Sequence, residues 1–137
     1  MRPSGPAIAA AAVLTFEAIA IAVVALIELF ALGSGVTGST MSAVALIVLT
    51  LVAAALLGVF AVGTLRKASW ARSGGILVQV LGLALSLGAL SIEPKPWTFI
   101  LGVGVTALVG FALLIATTRR DGSSDPRLQQ RAADSED

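Results

Sequence analysis

The sequence contains no cysteine, no histidine and no tyrosine, and the first two absences each remove a class of chemistry. Without cysteine there is no disulfide, no thiolate nucleophile and no sulfur-ligated zinc. Without histidine the commonest metal ligand is gone, and with it the usual general base near neutral pH. Haem, zinc and Ser-His-Asp chemistry are not expected, so the chain reads as non-enzymatic, with no cofactor and no metal site. Charge is scarce as well. Asp, Glu, Lys and Arg make up 12% of the 137 residues, about half the usual share of a soluble domain. The formal net charge of +1 and the lack of a long Lys/Arg stripe argue against a nucleic-acid partner.

Apolar sequence, by contrast, is abundant: hydrophobic residues make up 57% of the chain. Four long runs, 6–32, 42–65, 73–90 and 97–118, carry most of them. Each reaches the roughly 18 residues at which an apolar run becomes a membrane-span candidate. None interrupts its apolar surface with a polar face every turn, as a soluble amphipathic helix does. A single soluble core could not hide so much apolar surface, whereas a lipid bilayer would cover it. The first run is too long for the apolar core of a signal peptide and contains Glu17 and Glu28, so it is expected to be retained as a span.

The basic residues predict topology. Arg2, Arg66, Lys67, Arg72, Arg119 and Arg120 flank one side of the predicted spans, and the other two connections, 33–41 and 91–96, hold only Lys95. Positive residues stay on the cytoplasmic side. The expectation is an all-α membrane protein: an up-down-up-down four-transmembrane-helix bundle over residues 1–120, in the plasma membrane, with both termini cytoplasmic. Ser39 and Thr40 offer hydroxyl caps for the second helix, and Pro96 stands just before the fourth. Trp70 and Trp97 fall at headgroup levels, where indole is favoured. Residues 121–137 hold five acids and one Leu, too little apolar area to order them, and are expected to form a disordered acidic tail.

Two acids inside the first span are the most informative polar residues. Glu17 and Glu28 are eleven positions apart, about 20° around a helix and about 16 Å along it, so both face one direction. Carboxylates directed into lipid are costly, so this face should look into the bundle or toward a partner. On the third helix Arg72, Gly75, Gln79, Gly82 and Ser86 share an arc of about 80°. Gln79 matches Glu17 in depth and is its expected hydrogen-bond partner, with Arg72 approaching from below. At the other surface Lys95 is the cation available to Glu28. Glu17 then has two readings: a structural hydrogen bond that fixes helix register, or a protonatable site for a cation or proton. On the fourth helix Thr98, Gly102, Thr106 and Gly110 recur every four residues, a small-residue ridge for helix packing within the bundle or in a homodimer. Gly102-Val103-Gly104 lies in mid-span with no preceding strand and is not a nucleotide loop.

The residues Phe16-Glu17-Ala18, Ile27-Glu28-Leu29, the junction from Arg66 through Trp70 to Arg72, Val78-Gln79-Val80 and Pro96-Trp97 together resemble a group of small actinobacterial four-helix integral membrane proteins. The resemblance covers all four spans but not the tail, and implies architecture, not an activity. The length, the four spans and the acid at Glu17 are also similar to small multidrug resistance transporters. The departures are the absent tyrosine, the lack of tryptophan near any span centre, and Glu28, which that pattern leaves unexplained. Two functions follow as expectations: an accessory or assembly subunit of a larger membrane complex, or a small proton-coupled transporter using Glu17.

Overall fold

The computed structural model describes residues 3–34 and 39–123, the side chains of 121–123 excepted. Among these residues the chain forms four long helices and no strand: α1 (Gly5–Gly33), α2 (Thr40–Leu65), α3 (Ser69–Gly88) and α4 (Trp97–Ser123). A 3-10 turn, Ala89–Ser91, follows α3 directly. All four helices are long and apolar enough to cross a membrane.

Local chemistry sets the helix ends. Pro6 sits in the first turn of α1, where its missing N–H has no intrahelical role. Ser39 caps α2 by accepting the Ser42 N–H at 3.5 Å. At the far end of α2 the exposed carbonyls are closed by backbone donors: Arg66 N–H to Val62 O at 3.0 Å, Lys67 N–H to Thr64 O at 3.1 Å and Ala68 N–H to Gly63 O at 2.9 Å. That closure puts Lys67 at φ 59°, a left-handed position where glycine is usual. Helix α3 starts at Ser69, earlier than the apolar run at 73 suggested, because Ala68 is extended and everything after it is helix-compatible. Helix α4 runs on to Ser123, into the stretch expected to be an unstructured tail; residues 124–137 of that tail lie outside the described residues.

The helices pack as a ring, α1 on α2, α2 on α3, α3 on α4 and α4 on α1. Inside the ring Ala10, Ala11, Leu14, Leu57, Ala61 and Leu114 form one cluster. Leu14 and Leu114 are fully buried and meet over Gly75. Outside, Ile27, Leu49, Leu77, Leu85 and Leu101 are each more than half exposed. A contiguous apolar exterior of this kind is rare on a soluble monomer.

Candidate functional site

The polar centre of the ring joins three helices. Gln79 on α3 is 1% exposed and among the largest fully buried side chains. Its Nε2 donates to Oε2 of Glu17 on α1 at 2.8 Å, across 62 residues of sequence. The Thr106 hydroxyl of α4 lies beside the same carboxylate and donates to the Gly102 carbonyl at 2.8 Å. The carboxamide fits because α4 has no side chain at Gly110: a Cβ there would stand 2.5 Å from Gln79 Nε2. Buried polar groups need such partners, since leaving one unmade costs about 1–3 kcal/mol.

This geometry makes Gly110 part of the site. Gly110→Ala is expected to push the carboxamide off Glu17 and cost about 1–3 kcal/mol. Gly102→Ala, whose added methyl would meet nothing within 4 Å, is expected to shift stability by less than about 1 kcal/mol. Denaturation of the two variants in detergent micelles separates these outcomes.

The structure does not bring the other expected partners together. Arg72 is half-buried, but the polar neighbours of the Glu17 carboxylate are Gln79 and Thr106. Lys95 is ion-paired with Glu93, not with Glu28, because a partner two residues away needs no long loop to close. Glu28 keeps one buried oxygen, Oε2, that has no hydrogen-bond partner among the described residues.

The ridge on α4 is also divided. Thr98 and Gly102 are exposed, Thr106 is half-buried and Gly110 is buried. A strict four-residue spacing turns about 40° further round the helix at each step, so it walks off any straight contact. The face that meets α3 mixes spacings of three and four instead, through Ile100, Gly104, Ala107, Gly110 and Leu114. Ser86 donates to the Ile100 carbonyl at 2.8 Å, and its Oγ lies 2.6 Å from where a Gly104 Cβ would be. Sequence reasoning missed this face, although the small residues Gly104, Ala107 and Gly110, three apart, were its signal. On α3 the expected arc does turn inward: Gly75, Gln79 and Ser86 are buried and Gly82 is half-buried.

Beside this centre, Ala12, Val13, Phe16, Val105, Thr106 and Val109 line an open groove of about 320 Å³ between α1 and α4. Its walls are apolar except for Thr106, the residue it shares with the Glu17 cluster. Among the described residues no group of three or more His, Cys, Asp or Glu side chains is placed to hold a metal ion.

Among the described residues, fold and site together define a helical protein with four membrane-capable helices around a carboxylate–carboxamide bridge. Comparison with protein-family models, curated proteins and solved structures finds no match for this chain.

Proposed function

We propose that the protein is a non-enzymatic, multi-pass plasma-membrane subunit whose role is interaction: an accessory or assembly component of a larger membrane complex. In this reading it is an up-down-up-down bundle with both termini cytoplasmic. Residue pairings support the alternation, since Gly75 meets Leu114 while Gly104 meets Ser86, so numbers rise on one helix as they fall on the next. The bond from Gln79 to Glu17 carries the functional reading. It engages the most conspicuous intramembrane acid in holding α1 against α3, which is what a rigid interaction scaffold requires.

A second reading, a small proton-coupled transporter with Glu17 as its protonatable site, is favoured by the groove that reaches Thr106 beside the carboxylate. One comparison separates the two. A subunit purified from its native membrane in mild detergent is expected to migrate in stoichiometric complex with a larger membrane protein, and Glu17→Gln should stay assembled. Migration as a lone bundle, together with proton flux in proteoliposomes that Glu17→Gln abolishes, would replace the first reading with the second.

A further inference from the structure

The α2–α3 turn carries charge and apolar surface side by side. Arg66 and Lys67 are exposed, and neither forms an ion pair among the described residues. The first turn of α3 contains no acid. The acids with described side chains are Glu17, Glu28 and Glu93. Glu17 is spent on Gln79 and Glu93 on Lys95, while Glu28 lies near the opposite end of α1 from Leu14 and Gly75. Helix α4 ends at the same end of the bundle as this turn, because Leu114 packs on Gly75. Its exposed Arg119 therefore extends the basic patch.

Directly beside the cations the surface turns apolar. Trp70 is 57% exposed, its ring tilted on Phe60 with centroids 6.1 Å apart, and Val62 and Leu65 are also exposed. A ligand that touches both zones needs a negative head and a hydrocarbon tail. Lys67 adds a separate indication. Glycine would suit its left-handed backbone (φ 59°) better than any side chain, so the fold gains nothing from lysine there, and the ammonium is what the position retains.

We propose that this end of the bundle binds the headgroup of an anionic phospholipid through Arg66, Lys67 and Arg119, with its acyl chains against Trp70 and Leu65. The proposal rests on the membrane reading above but not on the accessory role. Basic clusters at the membrane surface hold anionic lipids by about fivefold in affinity per cation, and the attraction weakens with salt.

The test uses the full chain in neutral detergent, with native mass spectrometry counting bound lipid. Phosphatidylglycerol is expected to be retained at least about tenfold over phosphatidylcholine, and Arg66→Gln with Lys67→Gln together to lower that retention about 25-fold. Lys67→Gly is the decisive variant: it should melt no earlier than the parent yet lose about fivefold in retention. Equal retention of both lipids, an unchanged Lys67→Gly, or binding of inorganic phosphate as tight as that of the lipid would each overturn the proposal. A preference for an acidic peptide over phosphatidylglycerol would do the same. Because the chain has no cysteine, labelling a single Ser69→Cys in intact cells separately reports which side the turn occupies, so a wrong orientation is distinguishable from an absent lipid site.

Discussion

Gln79→Leu is expected to destabilise the protein by about 2–3 kcal/mol, even though leucine nearly matches the volume it replaces. The loss comes from the partner left behind. Glu17 accepts the Gln79 carboxamide at 2.8 Å, and leucine leaves that oxygen inside the bundle with only Thr106 beside it. Removing both groups, as Glu17→Leu with Gln79→Leu, should recover most of the loss, since an apolar pair leaves nothing unsatisfied. Unfolding of the two single variants and the double variant in mixed micelles gives the coupling energy directly. Additive single losses would mean that the bridge does not hold α1 to α3. Polar bonds between membrane helices average about 0.6 kcal/mol when unfolded chains find other partners, so a coupling energy above about 1 kcal/mol marks this one as a true tie.

The second large effect lies at the α2–α3 hairpin. A Cβ on Gly63 would fall within the Ala71 methyl, with two Trp70 ring atoms at 3.5 Å. Ala71 is fully buried, and a methyl on a helix backbone has no rotamer by which to move aside. Gly63→Ala is therefore expected to part the hairpin and cost about 1–3 kcal/mol. Adding Ala71→Gly moves the methyl from one helix to the other and should restore most of that stability. Tryptophan emission during unfolding follows both variants, because Trp70 packs on Phe60 at this junction. No rescue by the second substitution would show that the contact between Gly63 and Ala71 does not limit how closely the helices approach.

The sequence made the helices legible because each signal was local. Run length marked the four helices, Ser39 and Pro96 marked two of the starts, and the arc of Gly75, Gln79 and Ser86 pointed inward by spacing alone. The partner of Glu17 could be named because depth along a helix follows from counting residues, and Gln79 offered a carboxamide donor at that level. Reasoning from spacing failed where it assumed one straight stripe. The ridge from Thr98 to Gly110 looked continuous on paper but crosses from the outer surface to the interior. Arg72 and Lys95 were paired by sign of charge, whereas the polar groups beside the Glu17 carboxylate are Gln79 and Thr106 and Lys95 goes to its neighbour Glu93.

Composition and order of residues alone determined that this chain is helical, has four segments fit for a membrane, and contains neither cysteine nor histidine. Those properties need no knowledge of which face meets which. Only the tertiary structure decided that Thr106 joins Glu17 and Gln79, that Gly110 makes space for the carboxamide, and that Lys67 stands in a left-handed turn beside exposed Trp70. Each depends on the rotation and approach of one helix against another, which side-chain volumes set together and no single stretch of sequence encodes.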